Sequence, residues 1–276
     1  HMIESKGYAA TAPHTPLSPF TFQRRALRPD DVLITIHHCG VCHSDLHQIN
    51  NDWGGSHFPM VPGHEIVGRV AAVGSNVSRF KVNDPVGVGC MVDACHACPS
   101  CAEGDEQFCE KGFIATYNST EPYIGGNTFG GYSSNIVVTQ SFVLRLPAHL
   151  DLAASAPLLC AGITTWSPLT RFNAGPGKKV GIIGLGGLGH VAIKLARAMG
   201  AHVTLFTHSA HKRDDALRLG AHEVVLSSDR DAMRQQGNFD TILDTVSAAH
   251  DLNTWLKLLN RDGALVLIGL PEKDAA

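Results

Sequence analysis

The chain has 276 residues, more than one average domain, so length alone predicts two domains. Hydrophobic residues make up 44% and charged residues 17%, and the formal net charge is -3 with histidine neutral. This balance excludes a polyanion-binding surface, so we predict no nucleic-acid partner. No apolar run reaches the length of a membrane span, and no signal-peptide pattern begins the chain. We therefore predict a cytoplasmic protein with no membrane partner.

Eight cysteines are present, and an even number is compatible with disulfides. Without a secretory signal, metal binding is the stronger interpretation. Four of the cysteines are separated by two, two and seven residues: Cys95, Cys98, Cys101 and Cys109. Four thiolates at this spacing can close around one tetrahedral zinc. We predict a structural zinc lobe over about residues 90–112, in which the metal folds an otherwise long loop.

The first half of the chain has the pattern of a mainly β domain. Residues 2–30 carry turn signals, including four prolines. Apolar alternation and bounding glycines or prolines predict strands at 31–39, 65–73, 81–89 and 133–146. The excursion between the last two strands is too long for a bare loop, which is why it needs the cysteine cluster.

The second half alternates short apolar strands with amphipathic helices. Predicted strands cover 178–184, 202–207, 223–226, 240–244 and 264–270, and predicted helices cover 188–199, 214–219 and 252–259. This alternation predicts a parallel sheet of five strands with right-handed crossovers.

A glycine-rich turn joins the first of these strands to its helix. Its pattern is Gly-x-Gly-x-x-Gly, with the residues Gly184, Leu185, Gly186, Gly187, Leu188 and Gly189. Alone the pattern is weak, but the strand before it and the helix after it are the context of a dinucleotide site. The turn would let the backbone approach a pyrophosphate at the helix N-terminus.

The turn after the second strand favours NADP over NAD. An NAD site places a carboxylate there to hold the ribose 2′-hydroxyl. This turn instead offers hydroxyls and cations, among them Thr207, Ser209 and Lys212, and no carboxylate occurs before Asp214. The alternative interpretation is a solvated basic turn before a helix.

A second metal site is predicted from Cys42 and His64, which lie in one short span. Zinc accepts this mixture of thiolate and imidazole, and a catalytic site uses three protein ligands and leaves one position open. Cys160 is the best remaining cysteine for the third ligand. The alternative is that these are ordinary buried residues.

These features together resemble the zinc-dependent medium-chain alcohol dehydrogenases. The resemblance rests on Gly63-His64-Glu65-x-x-Gly68-x5-Gly74-x-x-Val77, on Gly40-Val41-Cys42-His43-Ser44-Asp45 and on Cys160-Ala161-Gly162. Within the family, Lys6-Gly7-Tyr8-Ala9-Ala10, Ser18-Pro19-Phe20, Arg24-Arg25 and the 207–212 turn are similar to the cinnamyl alcohol dehydrogenase branch. The resemblance implies an α/β protein with two domains. Residues 2–151 would form a mainly β, GroES-like catalytic domain, and 152–276 an NADP-binding Rossmann domain with a doubly wound parallel sheet.

The resemblance also implies roles for single residues around the catalytic zinc. Glu65 would be a transient ligand beside the metal, and Asp45 would orient the His64 imidazole. Ser44 would contact the substrate oxygen and pass its proton, through the cofactor ribose, to His47.

Further residues would serve the cofactor and the substrate. His43 would lie near the pyrophosphate, and Thr164 and the backbone near Gly269 would contact the cofactor. Trp53 would line the substrate pocket, with core packing as its alternative role.

The implied function is hydride transfer between NADP(H) and a primary alcohol or aldehyde, mainly as aldehyde reduction, with two zinc ions per chain. One alternative is a zinc-free quinone or enoyl reductase on the same fold. Another is an inactive, truncated remnant that binds zinc or nucleotide. The family continues through a sixth strand that forms its homodimer and then returns to the first domain. We expect that strand and that return to be missing here.

Overall fold

The computed structural model describes residues 1–271, which divide into two compact units, one up to Cys160 and one from Ala161 onward. The division falls later than the predicted position after residue 151. Leu152, Ala156 and Leu159 pack with Val67 and Leu146, and this apolar cluster keeps the segment with the first unit.

The N-terminal unit is mainly β. Its strands are β1 (Ile3–Ala9), β2 (Ser18–Arg24), β3 (Asp31–Cys39), β4 (Ile66–Val73), β5 (Pro85–Val88), β6 (Met91–Asp93), β7 (Ile114–Ala115), β8 (Asn135–Thr139) and β9 (Leu144–Arg145). Its α-helices are α1 (His43–Asn50), α2 (Pro99–Ala102) and α3 (Leu152–Ser155). Short 3-10 turns cover Glu106–Phe108, Gln140–Phe142 and Ala156–Leu159.

An antiparallel five-stranded sheet, in the order β8-β3-β4-β5-β9, forms the centre of this unit. Val32 and Ile34 on β3 alternate inward and pack with Ile66 and Val70 on β4, all of them at most 1% exposed. The period-2 pattern of the sequence therefore matches the buried face of the sheet.

Residues 2–30 form more regular structure than their turn signals predicted. β1 and β2 pair antiparallel, from Ile3 opposite Arg24 to Ala9 opposite Ser18. Pro19 lies opposite Tyr8 in this two-stranded ribbon, where both strands are edges and a missing N–H group costs little.

Two predicted strands of this unit are too long. Lys81 and Asp84 close a turn, in which the Lys81 N–H donates to Asp84 Oδ2 at 3.0 Å, so β5 begins only at Pro85. The predicted strand 133–146 is divided by a 3-10 turn into β8 and β9.

The C-terminal unit is the predicted α/β sheet. Its strands are β10 (Lys179–Ile183), β11 (His202–Thr207), β12 (Glu223–Leu226), β13 (Phe239–Asp244) and β14 (Leu259–Leu267). Its helices are α4 (Ala161–Arg171), α5 (Gly187–Ala198), α6 (Arg213–Leu219), α7 (Arg230–Arg234) and α8 (Asn253–Leu256). All pairs are parallel in the order β12-β11-β10-β13-β14, and apolar clusters lie on both faces. This confirms the Rossmann-like fold class.

Apart from one-residue shifts at the ends of elements, this unit departs from the sequence pattern at its last strand, at the helix before it, and at helices α4 and α7, which were not predicted. The last strand begins at Leu259 rather than at 264, because Leu259 already pairs with Phe239 before a bulge. That early start shortens the helix predicted at 252–259. Helix α4 was not predicted, since Pro168 interrupts its pattern, although Thr165 Oγ1 donates to the Ala161 carbonyl at 2.7 Å inside it.

The helices of residues 1–271 are short or polar compared with a membrane span. No single helix there has the length and hydropathy of a span, and one bent pair, Leu152–Leu159 with Ala161–Arg171, meets both criteria together.

Candidate active site and nucleotide-binding loop

Helix α1 begins at the predicted ligand Cys42. The Cys42 sulfur accepts the N–H group of Ser44 at 3.4 Å, and Asp45 Oδ2 accepts the N–H group of Cys42 at 2.9 Å. This reciprocal pair is a capping box with cysteine in the place of serine. The sequence Cys-His-Ser-Asp therefore both starts a helix and fixes the direction of a thiol.

The structure brings Cys42, His64, Glu65 and Cys160 together from three segments of the N-terminal unit. One ligand atom from each lies within 4.8 Å of all the others. The Sγ atoms of Cys42 and Cys160 are 3.9 Å apart. Two sulfurs on a tetrahedral zinc with bonds of about 2.3 Å would be about 3.8 Å apart, so these thiols fit the metal.

The thiol and carboxyl groups of this cluster are hard to ionise unless a cation lies beside them. Contact with the Cys160 thiol, together with burial, raises the pKa of the Cys42 thiol to about 12. A metal must displace that proton to form its bond with the sulfur. Burial raises the pKa of Glu65 as well, and the carboxylate lies against Gly40, where a Cβ would meet Glu65 Oε2 at 2.0 Å.

Asp45 lies directly behind His64. Its Oδ1 is 3.3 Å from His64 Nδ1, and the two side chains are 1% and 7% exposed. Burial opposes ionisation of Asp45, but its hydrogen bonds, that with His64 first, hold the carboxyl pKa below its usual range. A charged Asp45 keeps the proton of His64 on Nδ1, so that Nε2 is free for a metal.

A carboxylate that sequence reasoning missed holds the predicted relay histidine. His47 Nδ1 is 2.9 Å from Asp52 Oδ2, and the His47 ring stacks on Trp53 at 4.9 Å. Asn51, with φ of 60°, ends α1 and turns the chain so that Asp52 faces the last helical turn. The sequence signal that could have identified Asp52 is an acidic residue shortly after a histidine in the last turn of a helix. Ser44 lies one turn before His47, on the same face of α1.

We expect His47→Gln and Asp52→Ala each to slow alcohol oxidation on the order of 10²-fold at neutral pH, the scale of a lost general acid–base group. The deficit should shrink at alkaline pH, where hydroxide accepts the proton directly. Steady-state rates across pH, with zinc content measured in parallel, check this. A zinc content that falls in step with the rate would show that His47 is a ligand or a structural residue.

The four remaining predicted ligands form a second cluster. The four Sγ atoms all lie within 4.8 Å of one another, in Cys95, Cys98, Cys101 and Cys109. Those of Cys95 and Cys101 are 3.9 Å apart. Backbone N–H groups of Ala97 and Cys98 point at the Cys95 sulfur and lower the pKa of its thiol to about 6. Four cysteine sulfurs suit a tetrahedral structural zinc site, in which every ligand position is taken by the protein.

The glycine turn of the C-terminal unit has the geometry that a phosphate needs. Gly184 has φ of 90°, in the left-handed region, and a Cβ on Gly189 would lie 2.0 Å from the Gly184 carbonyl oxygen. A Cβ on Gly186 or Gly187 would meet nothing within 4 Å. The first N–H groups of the twelve-residue helix α5 have no side-chain cap, so this end can accept an anion.

Two cavities border this turn. One, of about 350 Å³, includes Gly184, Leu185, Thr207 and Lys212 in its lining, and the other, of about 380 Å³, includes Gly186 and Lys212. Lys212 Nζ donates to the Leu185 carbonyl at 3.0 Å, which places a cation beside the glycine turn. The 207–212 turn thus borders a cavity, as a cofactor-binding turn should.

His250 and Asp244 also belong to this region, and the sequence analysis missed both. His250 lines the larger cavity, its Nε2 lies 2.5 Å from Asp244 Oδ2, and its Nδ1 lies 2.6 Å from the Ala248 carbonyl oxygen. Both partners only accept, so the imidazole must carry two protons to make both bonds. Burial lowers the pKa of His250, but these bonds outweigh it and raise the pKa above its ordinary value.

We expect NADPH affinity to fall as the pH rises through the raised pKa of His250. We call the two hydrogen bonds from His250, to Asp244 and to the Ala248 carbonyl, the His250 clamp. Because the pKa of His250 is raised, the clamp is complete below the ordinary histidine pKa and is lost as the second proton leaves the ring. Hydrogen bonds from Asn253 hold the pKa of Asp251 below its ordinary value, and a 2′-phosphate is ionised near neutral pH. Fluorescence titration at a series of pH values from mildly acidic to alkaline measures the slope, which His250→Gln should flatten and His149→Gln, at an exposed position outside both cavities, should keep. An unchanged slope in His250→Gln would contradict the clamp.

The remaining predicted residues lie as follows. His43 is exposed at the start of α1, and Thr164 is half-buried on α4. The Gly269 N–H donates to the Asp244 carbonyl at 3.1 Å, and a Cβ there would meet the Val246 backbone at 2.7 Å. Trp53 Nε1 is buried with no hydrogen-bond partner among residues 1–271, so the indole has a donor available for a polar group.

A GroES-like unit with an open thiolate–imidazole cluster and a Rossmann unit with a glycine turn define a zinc-binding dehydrogenase. Comparison agrees, since residues 28–148 match the alcohol dehydrogenase GroES-like domain and residues 187–276 match the zinc-binding dehydrogenase family. The chain belongs to the zinc-dependent medium-chain alcohol dehydrogenases, in their cinnamyl alcohol dehydrogenase-like branch.

Named relatives and solved structures support this assignment. The chain is 55% identical to NADP-dependent alcohol dehydrogenase C 1 of Mycolicibacterium smegmatis, over 98% of this chain and 78% of that protein. It is 53% identical to the aldehyde reductase YahK of Escherichia coli, over 98% and 77%. A crystal structure of CAD from Helicobacter pylori complexed with NADP(H) superposes with a TM-score of 0.94 at 42% identity, over 100% of this chain and 78% of that one.

Proposed function

We propose that this protein reduces small aldehydes with NADPH, and oxidises the corresponding primary alcohols, at the site of Cys42, His64 and Cys160. The observation that carries the proposal is the convergence of these three ligands from separate segments. Three protein ligands leave a tetrahedral position open, which distinguishes a catalytic zinc from a structural one.

Cys42, His64 and Cys160 would hold the catalytic zinc, and Glu65 lies close enough to take the fourth position when no substrate does. The bound zinc would supply Lewis acidity at the substrate oxygen, and the nicotinamide would supply or accept the hydride. Cys95, Cys98, Cys101 and Cys109 would hold a second zinc that only folds its lobe.

The chain's own residues would then move the proton and shape the pocket. Ser44 would hold the substrate oxygen by a hydrogen bond, and His47 would exchange a proton with solvent. Asp52 keeps the His47 ring in place through Nδ1, and Trp53 stacks on its face. The Trp53 indole would line the aldehyde pocket.

The nucleotide would bind at the glycine turn of residues 184–189, with Thr207, Ser209 and Lys212 around the 2′-phosphate. His43 would lie near the pyrophosphate, and Thr164 and the Gly269 backbone would contact the cofactor. These assignments, the division into catalytic and cofactor-binding domains, the cytoplasmic location and any homodimer stay predictions.

We expect NADPH to be preferred to NADH by roughly 2–4 kcal/mol, the scale of one or two hydrogen bonds to a charged group. The 207–212 turn gives the cavity a hydroxyl from Thr207 and a cation from Lys212, and the carboxylate in the lining, Asp251, comes from outside the turn. Ser209→Asp should repel the phosphate and shift the preference toward NADH. The ratio of specificity constants for the two cofactors, at low and high salt, measures this, and salt should weaken it.

The matched control is Ser228→Asp, which adds the same charge at an exposed position outside the 207–212 turn. It should leave the cofactor ratio near the wild-type value. A wild-type ratio near one would mean that the 207–212 turn is only a solvated helix entry.

The experiment that tests the function is NADPH oxidation with benzaldehyde before and after removal of the metal by a chelator. Turnover should vanish with the metal and return on addition of zinc. Turnover of a quinone that survives metal removal would favour the zinc-free reductase. No turnover of any aldehyde by a metal-loaded chain would favour a non-catalytic binding protein.

A further inference from the structure

A buried carboxylate lies behind each of the two metal clusters, and each accepts a hydrogen bond from a tyrosine hydroxyl. Asp45 is 1% exposed and Asp93 is 4% exposed. Tyr132 OH donates to Asp45 Oδ2 at 3.2 Å, and Tyr123 OH donates to Asp93 Oδ2 at 2.6 Å. Neither tyrosine figures in the roles proposed above.

Asp45 has four donors within hydrogen-bond distance, two on each oxygen, and the hydroxyl of Tyr117 also faces this carboxylate. Oδ1 accepts the N–H group of Gly63 at 3.1 Å and faces His64 Nδ1 at 3.3 Å. Oδ2 accepts the N–H group of Cys42 at 2.9 Å and the hydroxyl of Tyr132. The carboxylate therefore ties two ligand segments together, and Tyr132 supplies one of the two bonds that fix its second oxygen.

The loop that carries Tyr132 is itself fixed against the ligand segment. The Tyr132 N–H donates to the Pro62 carbonyl at 3.0 Å, and the Gly131 N–H donates to the Gly63 carbonyl at 2.9 Å. Burial and the charge of Asp45 raise the pKa of Tyr132, so its hydroxyl stays a donor. Tyr117 packs on the other side, with its ring 5.9 Å from that of His64.

Asp93 lies at the entry to the four-cysteine lobe, two residues before Cys95, and its partners are neighbours of the ligands rather than ligands. Its Oδ1 accepts the Ala94 N–H at 2.9 Å and faces His96 Nε2 at 2.6 Å, which leaves Oδ2 to Tyr123. The guanidinium of Arg28 lies 3.7 Å from the centre of the Tyr123 ring. The Tyr123 hydrogen bond therefore fixes Asp93 and Ala94, the two residues that precede the first ligand, Cys95.

We propose that Tyr132, through Asp45, and Tyr123, through Asp93, are positioning residues that each hold one of the two metal clusters in its binding arrangement. The Tyr132 half rests on the proposed function, in which Cys42, His64 and Cys160 hold zinc. Without the Tyr132 hydroxyl, Asp45 Oδ2 loses one of its donors, and the carboxylate can turn away from His64. Groups behind metal ligands typically change metal affinity 10–100-fold.

The test measures zinc release rather than activity. Wild type, Tyr132→Phe, Tyr123→Phe and the control Tyr8→Phe, whose side chain is 56% exposed, are mixed with a coloured zinc chelator. Cysteine alkylation followed by peptide mapping then shows which thiols each variant has uncovered. Near-ultraviolet circular dichroism confirms that each variant is folded, and Asp45→Asn supplies a second variant for the first cluster.

We expect Tyr132→Phe to release the metal of Cys42 and Cys160 on the order of tenfold faster, with the four-cysteine thiols protected as in wild type. Tyr123→Phe should show the reverse, and Tyr8→Phe should match wild type. Release at wild-type rates from both variants, or equal acceleration at both clusters in each, overturns the inference. A wild-type protein with no zinc on Cys42 and Cys160 would instead overturn the proposed function, which separates the two failures.

Discussion

Replacing His64 by alanine should abolish aldehyde reduction while leaving the fold and the four-cysteine zinc in place. His64 is the imidazole of the three-ligand cluster, and its Nδ1 side is already fixed by Asp45. A Lewis-acid metal contributes several kcal/mol to such a reaction, and each 1.36 kcal/mol is tenfold in rate. The specificity constant with NADPH and benzaldehyde should therefore fall by about 10³-fold or more.

The matched control is His149→Ala, at an exposed position away from both clusters. It should keep wild-type activity and wild-type zinc content. Cys42→Ser should behave like His64→Ala, because a hydroxyl is a poor substitute for a thiolate on zinc. Retained activity in a His64→Ala protein with no zinc at this site would contradict the assignment of a catalytic zinc to Cys42, His64 and Cys160.

Replacing Arg24 by methionine should destabilise the N-terminal unit by about 3 kcal/mol or more. The buried guanidinium donates to the carbonyl oxygens of Gly130 at 3.0 Å and Asn135 at 2.9 Å, and to Ser133 Oγ at 3.0 Å. It donates to the Phe129 carbonyl as well. Each buried acceptor left without a partner costs about 1–3 kcal/mol. The same segment carries Tyr132, so the metal cluster should loosen too.

The measurement is hydrogen exchange followed by mass spectrometry, which resolves β3 and β8 separately from the C-terminal unit. The control is Arg69→Met, because Arg69 is exposed and donates to the Asn83 carbonyl on the surface. Surface changes of this kind usually stay within about 0.5 kcal/mol. Equal protection of β8 in the two variants would show that the Arg24 contacts are not needed for stability.

The sequence predicted the parts of this molecule whose signals are local. The strand 31–39 and the strand 202–207 are found with the predicted bounds, because alternation and bounding residues report on the strand itself. The two metal clusters could be proposed because cysteine and histidine at ligand spacing carry chemistry that few other roles need. The glycine turn was similarly predictable, since strand, turn and helix are consecutive.

What the sequence could not predict depends on how the chain turns at the end of an element and on contacts between distant segments. Asp52 has no motif of its own, and its role follows from the left-handed Asn51 that turns it onto His47. His250 meets Asp244 only after the chain leaves β13 and folds back. Tyr132 is 87 residues from Asp45 in sequence, yet it donates to it.

The most direct test of the central claim is zinc content measured together with NADPH-driven aldehyde reduction, on the wild-type chain and on Cys42→Ser. We predict two zinc ions per wild-type chain, one for each cluster, with steady turnover. Cys42→Ser should keep one zinc and lose turnover. A wild-type protein with one zinc, lost in Cys95→Ser while aldehyde reduction continues, would contradict a catalytic metal at Cys42, His64 and Cys160.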